Sequence, residues 1–378
     1  MAKTIGIAAS LFNKLYNLAG WKTKRQLVIF TSDDWGSVRV PSAEARENLS
    51  KNGISMDSNR FNRFDTLESN KDMECLFEIL TKHKDRKGCH PVFTALTNVA
   101  NPDFETIEKS AFTEYAYEPF TTTLSKYEGR DKVYEMYKQG IAQHIFVPEF
   151  HGREHVNINR WMKALHAGHE VSIKAFREHF YFIDDADLLP EIKKGFDCAF
   201  DIDSPTEVQG HKAIIKDGLD LFENLFNYRA SFFTAPSMIF SPAIEIELKD
   251  SGIEVIDVPR LQKIPLGNNR YKKKLNFMGS KNTHKQFYVT RNAVFEPNIQ
   301  DDSDSIGSCL KNIAEAFKNN SPAIISNHRA AFTGGLNPEN REKGIKALDC
   351  LLGKIVDTWP NVEFITMKQL HYIMNNSD

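Results

Sequence analysis

Short apolar runs recur along this chain, separated by segments with helical patterning, and that alternation restricts it to an α/β fold with a mainly parallel sheet. The runs read as strands at Gln26 to Ser32, Pro91 to Leu96, Ile145 to Phe150, Cys198 to Ile202, Ser231 to Thr234, Glu254 to Val258, Ala323 to Ser326 and Glu363 to Thr366. Eight such strands suggest a barrel. Helix ends are legible between them. Ser241 and Pro242 form an N-cap and first-turn proline before Ala243 to Lys249, with Gly252 just beyond, and Asn337 and Pro338 repeat the device before a long helix ending near Val356. Two stretches break the rhythm: residues 102–139, aromatic and charged, and residues 261–300, basic and then acidic. Both read as insertions or long loops on the barrel, where specificity tends to reside.

Hydrophobic residues make up 41% of the 378 and charged residues 26%, ample for a large core. Lys plus Arg total 48 against 50 Asp plus Glu, so no net field draws nucleic acid or an anionic membrane, and the expected partner is uncharged or recognised locally. The five cysteines are scattered and form no C-x-x-C pair, which argues against a disulfide framework or thiolate zinc site and for a reducing compartment. The apolar run from Ile5 to Phe12 is interrupted by Asn13 and Lys14 and reads as no signal peptide, so a cytoplasmic location is the expectation. Ile7, Leu11, Leu15 and Leu18 recur at helical spacing, an N-terminal helical extension within residues 1–25 that docks on the body or makes peripheral membrane contact.

The chemistry-bearing residues collect where strands end. The first strand runs into "TSDDWGS", placing Asp33 and Asp34 at the end of a buried strand, where unpaired carboxylates are costly unless a cation or partner accepts them. Paired acids at such a place also serve as caps or turn formers. The third strand, "HIFVPEF", ends at "HGREH", so His151 and His155 share one short loop or helical turn. Two imidazoles and a carboxylate can hold one divalent cation and leave positions open for water. His166, His169 and His179 fall near helix ends and read as structural. "PAIISNHRA" is a further apolar strand ending at His328.

Together these strand ends resemble the polysaccharide deacetylase family, carbohydrate esterase family 4, whose core is the nodulation-factor deacetylase homology domain. The resemblance spans nearly the whole chain in order. "TSDDWGS" looks like the family's Thr-Phe-Asp-Asp run with Ser32 in place of Phe, and "PVFTALTNVANPD" is similar to its second strand. "HGREH" matches its His-x-x-x-His, and "ASFFTAPSMIFSPAIEIELKDSGIEVID" resembles its third motif. "IISNH" is similar to its final Leu-x-His, and "VEFITMKQL" to its closing strand and helix. The resemblance implies a deformed (β/α) barrel over 26–378.

It also implies a metal-dependent hydrolase that removes N-acetyl or O-acetyl groups from a carbohydrate, acting on C–N bonds other than peptide bonds. Asp33 would be the catalytic base and His328 the general acid. Asp34, His151 and His155 would bind one divalent ion, zinc by default, whose Lewis acidity activates water and polarises the acetyl carbonyl. A backbone N–H after the second strand would face the oxyanion, and Trp35 or Trp161 could stack on sugar rings. Two features depart from the family pattern. Thr234 stands where an arginine is expected two residues before proline. The fourth motif, an acidic pair with tryptophan, is not recognisable, with Asp257 its possible remnant. Arg153 and Arg329 are the candidates to replace the missing arginine beside Asp33, with Arg329 preferred. The rival readings are a metal-dependent hydrolase of a glycosidic or small-amide bond, and a non-catalytic carbohydrate-binding protein on the same fold.

Overall fold

The structure, a computed structural model, describes residues 19–57, 59–184, 195–298 and 304–376. The amphipathic run at Ile7 to Leu18 lies outside the described residues. Thirteen strands are present among those described. In chain order they are β1 (Gln26–Trp35), β2 (Phe93–Thr97), β3 (Ala100–Pro102), β4 (Tyr117–Pro119), β5 (Phe146–Phe150), β6 (Phe232–Thr234) and β7 (Val255–Asp257). β8 (Leu261–Gly267), β9 (Arg270–Leu275), β10 (Phe287–Val289), β11 (Ala293–Val294), β12 (Ala323–His328) and β13 (Val362–Phe364) follow.

Nine strands form one wholly parallel sheet in the order β10-β7-β6-β5-β2-β1-β12-β11, with β13 on the first residues of β1. Its two edges, β10 and β11, are consecutive in the chain. Val289 and Ala293 are four residues apart, so the edges stand within roughly 14 Å of each other. The sheet is thus rolled into a deformed ring, and the link Thr290–Asn292 bridges its seam without a β ladder.

Alternation across the pleat explains the packing. Val28, Phe30, Phe93, Ala95 and Ile325 join a core with the surrounding helices, including Asn70–Lys82, Val133–Ala142 and Pro338–Thr358. The opposite, inward set, Leu27, Ile29, Leu96, Phe232, Val255, Val289 and Ile324, is closed at one end by Ile365, Met367, Leu370 and Met374. Toward the carboxyl ends the same inward positions turn polar: Asp33, Thr234, Asp257, Ser326 and His328. Parallel α/β folds place their sites at this end.

Three expectations need correction. Cys198 to Ile202 forms no strand, only a single bridge from Phe200 to Phe240, because β5 pairs directly with β6 and leaves no place between them. Asn157 Nδ2 donates to the Cys198 and Asp201 carbonyls, at 3.0 and 2.9 Å, in place of a ladder. Residues 261–300 are not one insertion: the antiparallel β8–β9 hairpin is, but β10 and β11 belong to the main sheet. Within 102–139 the β3–β4 pair is antiparallel and separate, whereas the helix Val133–Ala142 begins the regular layer against β5. Among the described residues no helix is long and apolar enough to cross a membrane.

Candidate metal centre and catalytic cleft

Adjacent residues of a regular strand face opposite sides, so Asp33 and Asp34 can share a cleft only if the strand is distorted. It is. The register of β1 against β2 shifts between Ser32 and Trp35, and Asp34 has φ 74°, the left-handed region that a non-glycine residue enters at a cost of order 1–3 kcal/mol. Asp33 and Asp34 are each 6% exposed.

His151 follows β5 directly. The chain then turns at Gly152, φ 114°, where a Cβ would meet the Glu154 carbonyl oxygen at 3.3 Å. The turn makes "HGREH" a loop, and it returns His155 to the same carboxylate. His151 Nε2 and His155 Nε2 each lie 3.3 Å from Asp34 Oδ1, and one donor atom from each of the three residues lies within 4.8 Å of the others. His151 Nδ1–H donates to the Thr234 carbonyl at 2.8 Å, which leaves the Nε2 lone pair directed at the cluster. His155 Nδ1 is buried without a hydrogen-bond partner among the described residues. Burial acts to raise the Asp34 carboxyl, but hydrogen bonds from His151 and His155 outweigh it and hold the group well below the usual carboxylate range. Zinc–ligand bonds of about 2.0–2.2 Å at tetrahedral angles separate neighbouring donor atoms by roughly 3.3–3.5 Å. The spacing and the N₂O donor set therefore fit a zinc-like ion.

Asp33 faces the other side of the cleft. Its oxygens accept from Arg291 Nη1 and Nη2 at 2.6 and 2.8 Å. The same guanidinium donates from Nε to Asp257 at 2.5 Å and from Nη1 to Ser326 Oγ at 2.9 Å. Burial opposes the Arg291 charge, yet Asp257 and Asp33 more than compensate and raise its pKa. His328 Nε2 stands 3.6 Å from Asp33 Oδ2, and its Nδ1–H donates to Glu296 Oε1 at 2.5 Å. Burial would lower the His328 pKa, but Glu296, Asp33 and Asp34 carry it to about 9. The ring is therefore an imidazolium at neutral pH.

The arginine beside Asp33 is thus neither of the two expected. Arg329 is fully buried: Nε and Nη2 donate to Asp65 Oδ1 at 3.1 and 2.8 Å, and Nη1 to Glu68 and the Ser37 carbonyl at 2.7 Å. Arg329 opens the turn Arg329–Ala331 that follows β12, and its side chain lies against Asp65 and Glu68 instead of the cleft. Arg153 forks onto Glu154 at 2.6 and 2.8 Å, reaches Asp217 at 2.7 Å and lies 4.0 Å over the Tyr117 ring. Asp257 backs Arg291, and the acid beside His328 is Glu296.

Arg291 and Glu296 escaped sequence reading because they sit on and beside the seam, in a stretch taken as an insertion. The alternation in "FYVTRNAVFEP" was their one visible signal. Trp35 and Trp161, 1% and 0% exposed, are core residues that do not line the cleft. The Asn98 amide after β2 donates to the Trp35 carbonyl at 2.8 Å, so it does not face an oxyanion. His169 bonds Ser172, and His179 stacks on Phe104 at 4.6 Å.

No protein-family model and no curated protein sequence matches the chain. Solved structures do. A probable polysaccharide deacetylase from Pseudomonas aeruginosa PAO1 is 8% identical at TM-score 0.47, covering 94% of this chain and 92% of that one. A CE4 family pseudoenzyme from Bacillus anthracis is 10% identical at TM-score 0.36, covering 92% and 66%. A 4-alpha-glucanotransferase from Thermococcus litoralis is 10% identical at TM-score 0.44, and there the chain covers 93% of itself but spans only 41% of that enzyme. Likenesses this distant say nothing about activity. The structure gathers both histidines on Asp34 and the last histidine beside Asp33 at one end of a parallel ring.

Proposed function

We propose that the chain is a metal-dependent hydrolase that removes acetyl groups, N-linked or O-linked, from a carbohydrate. The observation that carries the reading is the pairing of an Asp-His-His cation site with an oriented carboxylate and a histidine in one cleft of about 880 Å³. Asp34, His151 and His155 would hold the ion. A divalent ion there supplies Lewis acidity toward water and the acetyl carbonyl. Asp33, fixed by both Nη groups of Arg291, accepts a proton from the attacking water. His328, charged at neutral pH and held by Glu296, donates a proton to the departing amine or alkoxide. Acid and base are thus separate groups, each held by its own partner.

Two absences in the sequence favoured a non-catalytic binder: the third-motif arginine and the fourth-motif acid. Arg291 holds Asp33 and Glu296 holds His328 from other positions, which supports turnover. The test is acetate release from a panel of N- and O-acetylated sugars by metal-stripped protein reloaded with zinc, manganese or cobalt. Metal-dependent release is the expected result. Full release without metal, or none from any sugar with stoichiometric metal bound, overturns the reading.

A further inference from the structure

Beyond Asp33 and Asp34 the cleft carries a second set of charges. Among the described residues, Arg39, Arg60, Arg63 and Arg260 line it against Asp184 and Asp197. Arg39 is 6% exposed, lying 4.1 Å over the Phe182 ring and 5.2 Å over the Phe61 ring. Its Nε donates to Asn62 at 2.8 Å, and its terminal nitrogens have no partner among the described residues. Arg63 has a buried Nε without a hydrogen bond among the described residues, and its guanidinium lies over Phe64 at 5.5 Å. Arg60, on the rim, lies over Phe61 at 5.2 Å. None of these three forms an ion pair among the described residues. Burying a guanidinium without a counter-charge is costly, and Arg291 of the same cleft is held by two carboxylates. Phe61 links the group to the reaction centre, since its ring lies 4.8 Å from that of His328.

We infer that Arg39, Arg60 and Arg63 form an anion subsite and that the sugar substrate carries a phosphate ester there, next to the residue that loses its acetyl group. This deepens, and rests on, the deacetylase reading above. One carboxylate is saturated by a single bidentate arginine, whereas three guanidiniums on one wall match the oxygens of a phosphate or diphosphate. Phe61 and Phe182 supply apolar surface beside the cations, on which a sugar ring or the first carbons beyond the ester can lie.

The test is calorimetric, so it does not depend on turnover. Zinc-loaded protein is titrated with N-acetylglucosamine 1-phosphate, its uridine diphosphate ester, its farnesyl diphosphate ester and the neutral methyl glycoside. Acetate release is followed on the same four. At least one phosphate ester binds about tenfold or more tightly than the neutral glycoside, and Arg39→Gln and Arg60→Gln each reduce that preference by about tenfold. The uridine and farnesyl arms separate a nucleotide-linked from a lipid-linked substrate. Arg60 is exposed, so its variant keeps the test alive if Arg39→Gln fails to fold. Esters that bind no better than the methyl glycoside, or a preference untouched in both variants, sink the inference. Rapid deacetylation of the neutral glycoside with no preference for esters removes the subsite and leaves the deacetylase standing. Tight, arginine-dependent binding with no acetate released from any sugar does the reverse.

Discussion

Replacing Arg291 by alanine tests the reading of the site most directly, because one guanidinium holds two carboxylates. It makes two charge-assisted bonds to Asp33 and one to Asp257, whose side chains are 9% and 0% exposed. Removing one partner of a buried pair costs about 3–5 kcal/mol, since the remaining charge is left without compensation. Burial already pushes the Asp257 carboxyl up against the pull of Arg291, so Asp257 takes a proton in the variant and part of the cost is relieved. Asp33 borders the open cleft and can recruit water. A stability loss near the lower end, about 3 kcal/mol, is therefore expected from urea unfolding. The base also loses its two-point orientation, and misplacement of a catalytic group by an ångström lowers kcat/KM by roughly 10²-fold. Without the cation the acid limb of the pH–rate profile moves upward. Arg291→Lys keeps the charge but not the fork, so its limb stays nearer the parent while its rate falls. Arg329→Ala is the contrast: it strands Asp65 and Glu68, costs about 3–5 kcal/mol, and leaves the acid limb where it was. An Arg291→Ala enzyme with unchanged rate and acid limb refutes the assignment of Asp33 and its partner.

Other outcomes follow from the same geometry. His151→Ala or His155→Ala empties the cation site by elemental analysis, whereas Asp33→Asn retains the metal and abolishes turnover; an ion kept by both histidine variants removes the site. The folded pKa of His328 is raised to about 9, so the acid form persists below it and the rate falls as pH rises through that value. Glu296→Gln lowers the His328 pKa and moves this basic limb to lower pH, and an unmoved limb would show that another group is the acid. Gly344→Ala destabilises by about 1–3 kcal/mol or more in thermal unfolding, because a Cβ would stand 1.8 Å from the Ala331 carbonyl oxygen; a neutral effect would mean that the helix Pro338–Thr358 can shift off that loop.

What could be read without a structure was local. Each of Asp33, Asp34, His151 and His328 ends or follows a strand whose apolar run announces it, and the position itself says that the side chain reaches the active rim. Parallel α/β architecture followed from the same runs, and seven of the eight expected strands are present. Cys198 to Ile202 misled because a short apolar run signals burial, not pairing, and the sheet closes from β5 to β6 without it. Three facts belonged to the tertiary structure alone. The bulge that turns Asp34 toward the histidines depends on register between β1 and β2. The burial of Arg329 depends on how the turn after β12 packs against the segment that carries Asp65 and Glu68. The placing of Arg291 depends on the ring as a whole: β10 and β11 are three and two residues long, and they become neighbours only because the sheet curls until its two edges meet. A side chain on that seam faces the centre of the ring, and no pattern within its own segment records that the edges come together.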